Sequence, residues 1–268
     1  MLSSIEMEPR YYELFEKALQ KMGCPKHVPN TFISLLDNNR GIINPLKKKD
    51  ELEPKNPLIV ALGDSVTAGH FEAIVNEQGM SFVQNLQQAY IEQFKQMLQE
   101  ACGISTFNIV NSGIAGDNIR GMQMRLERDV IRYDPDLIII NGALNWNKKK
   151  GTTVDYKNCL EEVIQQIKEQ STAELILVTP NMAVSTEKDA SLKERVDVIR
   201  LLAHEQKLIL ADVYAIWEEV CAQEPSLQLE ALLANRENHP TPYGHYVYAK
   251  VLMHLFSSVK KAEPIPIG

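Results

Sequence analysis

The chain has 268 residues, of which 44% are hydrophobic and 24% are charged, and 28 lysines and arginines against 35 aspartates and glutamates give a formal net charge of −7. This composition excludes a disordered, collagen-like or coiled-coil chain and a small disulfide scaffold. The acidic balance argues against a protein that binds nucleic acid or anionic membranes in general. No stretch approaches the roughly 20 apolar residues that cross a bilayer, so we expect no integral membrane association.

The N-terminus and the cysteines indicate a compartment. The N-terminal stretch has glutamates at positions 6 and 8, where a secretory signal has a basic start and then an apolar run. The cysteines are far apart and form no CxxC pair or metal-finger spacing: Cys24, Cys102, Cys159 and Cys221. Reduced thiols and a cytoplasmic location are therefore predicted.

Residues 1–56 form an N-terminal extension. Apolar side chains recur at helical spacing and predict a first helix near 8–22; they are Tyr11, Leu14, Phe15 and Leu19. Residues 38–41 are typical of a turn, and the lysine run at 47–49 is typical of an exposed linker. We expect so short a segment to pack on the main domain, with a lid or an oligomerisation arm as the alternative.

From residue 57 to residue 268, short apolar runs alternate with amphipathic stretches. The runs are rich in Ile, Val and Leu, which predicts strands at 57–63, 107–111, 136–141, 174–179 and 207–213. Helical periodicity predicts helices at 79–101, 117–132, 154–170, 186–206 and 241–257. Because the runs are apolar without alternation, both faces of the sheet should be covered. The pattern predicts one α/β domain, a three-layer α/β/α sandwich with a parallel sheet of about five strands.

A serine stands just after the first predicted strand, in the Gly-flanked sequence Gly63-Asp64-Ser65. Ligands bind at the carboxyl ends of strands in such sheets. The N–H groups and dipole of a following helix would favour negative charge there. The loop could therefore bind a phosphate or carboxylate, it could present Ser65 as a nucleophile with a stabilised oxyanion, or it could be a plain turn.

Three further loops at the same predicted edge carry polar groups. Gly116 follows the second strand and can bring a backbone N–H close to a ligand. Asn145 follows the third strand, and His239 precedes the last predicted helix. A serine nucleophile needs a base for its proton and donors for its oxyanion, and these loops supply both.

Four motifs resemble, in order and spacing, those of the SGNH hydrolase superfamily, the GDSL-type esterases, lipases and acylhydrolases. They are GDSVTAG at 63–69, NSGIAGDN at 111–118, PDLIIINGALN at 135–145 and NHPTPYGH at 238–245. The resemblance implies a flavodoxin-like fold, with Ser65 as nucleophile and His239 as base. It also implies an oxyanion hole formed by the N–H groups of Ser65 and Gly116 and by the side chain of Asn145, with neither metal nor cofactor.

The chain departs from the family pattern in two motifs. The third motif usually reads Gly-x-Asn-Asp, whereas Ala-Leu-Asn-Trp stands at 143–146, which could change the reach of the Asn145 amide. The last motif usually has an aspartate three residues before the histidine, where this chain has Arg236. We expect Glu237 or a backbone carbonyl to orient the imidazole of His239, or a Ser–His dyad to act alone.

Three features near these loops have two interpretations each. Trp146 could stack on a sugar or acyl group at the substrate rim, or it could pack in the core. The lysines at 148–150 are typical of a solvated face, but a place at the rim would favour anionic substrates. His245 lies six residues after His239, but no HExxH motif or suitably spaced carboxylate accompanies it, so we predict a structural histidine and no metal site.

These features predict a serine ester hydrolase that acts through an acyl-enzyme on small soluble esters, with acetylated carbohydrates as the first hypothesis. The predicted partner is a small-molecule ester, not nucleic acid. A lysophospholipase or thioesterase, an acyl transferase and a catalytically decayed binding protein on the same fold are the alternatives. The missing aspartate favours the decayed protein, whereas the intact Ser, Gly, Asn and His argue against it.

Overall fold

The computed structural model describes residues 9–38, 56–76, 79–103, 106–184, 186–225 and 229–259. Its centre is a parallel five-stranded sheet, formed by β1 (Leu58–Gly63), β4 (Asn108–Gly113), β5 (Leu137–Asn141), β6 (Glu174–Val178) and β7 (Ile209–Ala211). A separate antiparallel hairpin is formed by β2 (His70–Asn76) and β3 (Gly79–Gln84). Each of the five predicted strand segments overlaps one strand of the sheet, so the predicted sheet is confirmed.

The order of the strands places β1 between β4 and β5, second in the sheet. The sheet runs β4-β1-β5-β6-β7, and all neighbouring strands are parallel. Counting only these strands along the chain, this is the 2-1-3-4-5 order of flavodoxin-like folds. The direction of winding reverses at β1, and ligands bind at such a switch point, beyond the carboxyl ends of the strands.

Helices cover both faces of the sheet. They are α1 (Pro9–Gln20), α2 (Asn30–Asn38), α3 (Tyr90–Cys102), α4 (Ile119–Met124), α5 (Leu126–Asp129), α6 (Thr153–Gln170), α7 (Thr186–Glu205), α8 (Val213–Gln223) and α9 (Pro242–His254). Ile59 and Ala61 of β1 point into a core with α1, α2, α3, α8 and α9. Val60 and Leu62 point the other way, into a core with α4 to α7. The three-layer α/β/α sandwich is therefore confirmed.

Two helix predictions need correction, and two helices were missed. The predicted helix at 79–101 begins too early, because residues 79–84 form β3 and pair with β2 in a hairpin, and α3 begins only at Tyr90. The stretch 117–132 is not one helix but α4, α5 and a short 3₁₀ turn. Helices α2 and α8 were not predicted. Each is short, and short helices depend on tertiary packing more than on the propensity of their own sequence.

The described helices of the N-terminal segment pack on the main sheet. Phe15 of α1 meets Trp217 of α8 edge to face, with ring centroids 5.8 Å apart. The first N–H groups of α2, those of Thr31 and Phe32, donate to the carboxylate of Glu174 at the start of β6. These contacts attach both helices to the core. The predicted turn at 38–41 and linker at 47–49 lie outside the described residues, apart from Asn38.

No helix in the described ranges is long and apolar enough to cross a bilayer.

Candidate active site

The loop after β1 is tightly wound and presents Ser65. The N–H of Ala68 donates to Asp64 O at 2.9 Å, and that of His70 donates to Ser65 O at 2.9 Å. A Cβ on Gly63 would lie 1.9 Å from Thr67 Oγ1, so only glycine permits this winding. The side chain of Ser65 is buried, with 5% of the residue exposed. The loop is thus tightly packed around a buried serine, unlike a plain surface turn.

A second loop, just before α9, brings the predicted base to the serine. The distance from Ser65 Oγ to His239 Nε2 is 2.9 Å. Asn235 shapes the loop, since its Oδ1 accepts the N–H groups of Glu237, Asn238 and His239 at 2.9–3.0 Å. The structure therefore brings together two residues that lie 174 positions apart in the chain.

The imidazole is oriented by a backbone carbonyl, where the family has an aspartate. Nδ1 of His239 lies 3.1 Å from Phe71 O, at the start of β2. A carbonyl only accepts, so Nδ1 carries the proton and the lone pair of Nε2 faces the Ser65 hydroxyl. Of the predicted alternatives, the geometry therefore favours the carbonyl over Glu237. Glu237 is exposed, and its charge raises the pKa of the imidazole.

Burial sets the protonation of the base. It lowers the pKa of His239 below the ordinary value, and the charge of His70 adds to this shift. The hydrogen bond to Phe71 and the charge of Glu237 oppose it. The direction of the shift keeps the imidazole neutral at neutral pH, which is the form that can accept the proton of a serine.

The two loops with the predicted oxyanion donors meet beside the nucleophile loop. Gly116 has φ +74°, a conformation that favours glycine, and no described atom lies within 4 Å of the position of a Cβ. The amide of Asn145 donates to Asp117 O at 3.0 Å, which attaches it next to Gly116 and leaves its second N–H for another acceptor. The Gly116 loop joins the end of β1, because the N–H of Ile114 donates to Gly63 O at 3.1 Å.

A buried arginine that was not predicted holds these loops together. Arg125 Nε donates to Asp117 Oδ2 at 2.7 Å, and Nη2 donates to Gly63 O at 3.0 Å. Nη1 donates to Ser112 O at 2.8 Å and to Asp129 at 2.9 Å. One guanidinium thus connects the ends of β1 and β4 with the Gly116 loop. Its signal in the sequence is a charge between the buried residues Met122 and Leu126, on the apolar face of a predicted helix.

A buried carboxyl group, which was not predicted as part of the site either, lies directly beside the nucleophile. Asp64 is fully buried, and its Oδ1 accepts the N–H of Val66 at 3.0 Å. Its Oδ2 makes no hydrogen bond with the described residues. The pKa of Asp64 is raised to about 7, mainly by burial and in part by the nearby charge of Asp117, against the opposing effect of the bond from Val66.

The remaining predicted residues line the site or support it. Trp146 is 3% exposed, its indole N–H donates to the carbonyls of Gly151 and Thr152, and its ring packs on Tyr156, so the structure favours packing over stacking on substrate. His245 is buried, and its Nδ1 accepts the N–H of Tyr90 at 3.2 Å, as expected of a structural histidine.

A cavity of about 960 Å³ opens beside the predicted oxyanion donor. Asn145 and Asn238 are part of its wall, together with residues 146–148, residues 150–153 and the first half of α7. Asn238 directly precedes the predicted base in the chain, so part of the cavity wall belongs to the loop that carries His239.

Comparison with known proteins identifies the family. Residues 61–247 match the model of the GDSL-like lipase/acylhydrolase family. An acetylxylan esterase from Geobacillus stearothermophilus is 27% identical over 218 residues, which is 73% of this chain and 91% of the esterase. The crystal structure of Axe2, an acetylxylan esterase from the same organism, has a TM-score of 0.62 at 22% identity, over 77% of this chain and 97% of Axe2.

A mutant of Axe2, described as an acetyl-xylooligosaccharide esterase, gives the same TM-score of 0.62 and the same coverage. At 22% identity, these structures establish the fold. The family match extends over well more than half of the sequence. The chain therefore belongs to the GDSL-like lipase/acylhydrolase family and is a carboxylic ester hydrolase.

Proposed function

We propose that this chain is a serine esterase that removes acetyl groups from carbohydrates. The observation that carries the proposal is the contact of 2.9 Å between Ser65 Oγ and His239 Nε2, with the other nitrogen of the ring held by Phe71 O. This is the arrangement that a serine needs in order to lose its proton, and it holds although the family's aspartate is missing.

The reaction follows from the positions of these groups. His239 Nε2 takes the proton of Ser65 as Oγ attacks the acetyl carbonyl, and the carbonyl oxygen becomes an oxyanion. The N–H groups of Ser65 and Gly116 and the free N–H of the Asn145 amide stabilise that oxyanion; each such donor contributes about 10²–10³ in rate. His239 then protonates the leaving alcohol, and water repeats the sequence on the acetyl-enzyme.

Two observations support an acetylated carbohydrate as the substrate. The relative with 27% identity, which this chain matches over 91% of that relative's length, is an acetylxylan esterase. The cavity beside Asn145 has polar walls, including Asn147, Thr152 and Thr153, which suit hydroxyl groups better than an acyl chain. A small acyl group and a larger polar alcohol fit this site best.

The test compares Ser65→Ala with Ser34→Ala, a serine on the surface of α2, far from the site in the fold. Both variants and the wild type are assayed with p-nitrophenyl esters from acetate to palmitate and with acetylated xylooligosaccharides. We expect the wild type and Ser34→Ala to cleave acetyl esters best and Ser65→Ala to be inactive while folded. Labelling by a fluorophosphonate should be lost in Ser65→Ala alone.

Other outcomes would identify the alternatives. A preference for palmitate would indicate a lipase, and products of added alcohols would indicate acyl transfer. Folded wild-type protein that neither reacts with the probe nor cleaves any ester would contradict the proposal in favour of a decayed binding protein.

A further inference from the structure

The cavity beside the site has a cationic wall. Among the described side chains that line it, three are basic, Lys148, Lys150 and Arg195, and one is acidic, Glu194. The acid is exposed, and its Oε2 accepts the hydroxyl of Thr153. A net excess of positive charge in a concave site attracts anions, since the low-dielectric walls strengthen the field inside it.

Arg195 is the unusual member of this wall. It is 4% exposed, yet it forms no ion pair with any carboxylate of the described residues, whereas buried charges are normally paired. Its Nε donates to Ala143 O at 2.8 Å, and its Nη1 donates to Ser191 Oγ at 2.8 Å. Both acceptors are neutral, and they fix the plane of the guanidinium. No described residue accepts a hydrogen bond from Nη2.

Lys150 connects this wall to the catalytic groups. Its Nζ donates to the backbone carbonyl of Asn145 at 2.8 Å, and the ammonium keeps two further N–H donors. Asn145 supplies the proposed oxyanion donor, so the positive charge of Lys150 is held close to the reacting ester.

The position of the cavity indicates which part of the ester it receives. His239 must reach the leaving oxygen in order to protonate it, so the alcohol lies on the side of the base. Asn238, the residue before the base, lines the cavity. The alcohol part of the ester therefore extends from His239 into the cationic cavity.

We propose that the cavity binds a carboxylate on the alcohol part of the substrate, as in an O-acetylated sugar acid. The inference rests on the proposed esterase function and names its substrate class. Arg195 is the fixed ligand, because a planar guanidinium matches a carboxylate. Lys148 and Lys150 add attraction. Arg195 is thus a specificity residue for the anionic alcohol.

The experiment uses two substrates that differ in one group, an O-acetylated methyl glucuronide and the O-acetylated methyl glucoside. The measured quantity is the ratio of kcat/KM for the anionic substrate to that for the neutral one. We expect a ratio of about 10 or more in the wild type, falling as salt is added because salt screens charges. Arg195→Gln should lower the ratio about 10- to 100-fold, mainly through KM of the anionic substrate.

A matched pair of surface variants tests the proposal independently, in case Arg195→Gln does not fold. Lys148→Glu and Lys149→Glu change adjacent exposed lysines, of which only Lys148 lines the cavity among the described residues. We expect the ratio to fall in Lys148→Glu and to stay near the wild-type value in Lys149→Glu. Equal effects of the two variants would contradict the proposal.

Two further arms separate this inference from the esterase function. Unacetylated methyl glucuronide and methyl glucoside are titrated calorimetrically into Ser65→Ala, which tests the cavity without hydrolysis. Tighter binding of the glucuronide supports the cationic cavity even if no ester is cleaved, and equal binding overturns it. In the second arm, the enzyme could cleave p-nitrophenyl hemisuccinate faster than p-nitrophenyl acetate and show equal kcat/KM for the two acetylated sugars. That result would place the anion on the acyl side and contradict the proposal.

Discussion

The two sides of the active site are held by different chemistry. On the oxyanion side, which comprises the Gly116 loop and Asn145, the charged guanidinium of Arg125 makes four hydrogen bonds of 2.7–3.0 Å. On the base side, which comprises residues 234–241 and Phe71, the bonds are neutral. Asn235 shapes the loop, and a backbone carbonyl orients His239.

The difference indicates which side needs a fixed charge and which does not. The oxyanion side must keep several donors converging on one point, and an ion-pair network with a rigid centre does this well. The base side must only fix one tautomer and one ring orientation, which a carbonyl achieves. A carbonyl stabilises the imidazolium less than a carboxylate does, so the base side contributes orientation more than electrostatic stabilisation.

Breaking the base side should have the largest effect. In His239→Gln we expect kcat/KM for acetyl esters to fall by about 10³-fold or more, because the serine then has no base. The loop should survive, since Asn235 binds only its backbone. His204→Gln, an exposed histidine of α7, is the control and should keep full activity. Circular dichroism and an ester assay check both variants.

The pH profile of the wild type tests the same side. Activity requires the neutral imidazole, so kcat/KM falls as the pH drops below the pKa of His239. Because burial lowers that pKa, the acidic limb should lie below pH 6.5, the ordinary histidine value. An acidic limb above pH 6.5 would mean that the pKa of His239 is raised, and that a carboxylate, and not Phe71 O, accepts the proton of Nδ1.

Breaking the oxyanion side should cost less activity but more stability. In Arg125→Met we expect kcat to fall about 10- to 100-fold with little change in KM, because the donors shift while substrate still binds. The free energy of unfolding should fall by about 3 kcal/mol, since the half-buried carboxylate of Asp117 is left without its cationic partner. Steady-state kinetics and denaturant unfolding measure the two effects.

Two further variants show that Arg125 positions the donors. Arg128 also binds Asp129 but is exposed, so Arg128→Met should leave kcat near the wild-type value. Arg125→Lys keeps the charge and should recover part of kcat. If kcat and KM changed together in Arg125→Met, or if Lys recovered nothing, the arginine would have only a structural role.

Much of the fold could be predicted because strand burial leaves a strong pattern. Runs rich in Ile and Leu, such as residues 136–141, are stable only in the centre of a parallel sheet, where both faces are covered. The hairpin formed by β2 and β3 was missed because residues 79–84 continue directly into the periodicity of α3. Its pairing depends on contacts that helical periodicity does not record.

Only those site residues that lie in recognisable sequence motifs could be predicted. Ser65 and His239 were found because each lies in a short sequence with a fixed place at the sheet edge. The carbonyl of Phe71 could not be found, since every residue has a carbonyl and only the fold of the hairpin brings this one to Nδ1. Arg125 and Arg195 could not be assigned either, because their roles depend on what surrounds a buried charge.

The smallest expected effect concerns Asp64, the carboxyl group between the two sides. Its pKa of about 7 lies above the ordinary value of 3.8, so the folded protein binds this proton more tightly than the unfolded chain does. Stability should therefore fall as the pH rises from about 4 to about 7, by on the order of a few kcal/mol.

Asp64→Asn keeps the acceptor for Val66 and should remove this dependence of stability on pH. Asp197→Asn, an exposed carboxylate, should leave it, and denaturant unfolding at pH 5 and pH 8 distinguishes the two. An unchanged slope in Asp64→Asn would mean that Asp64 is ionised beside the serine, and the negative charge would then oppose the oxyanion that the arginine side is built to stabilise.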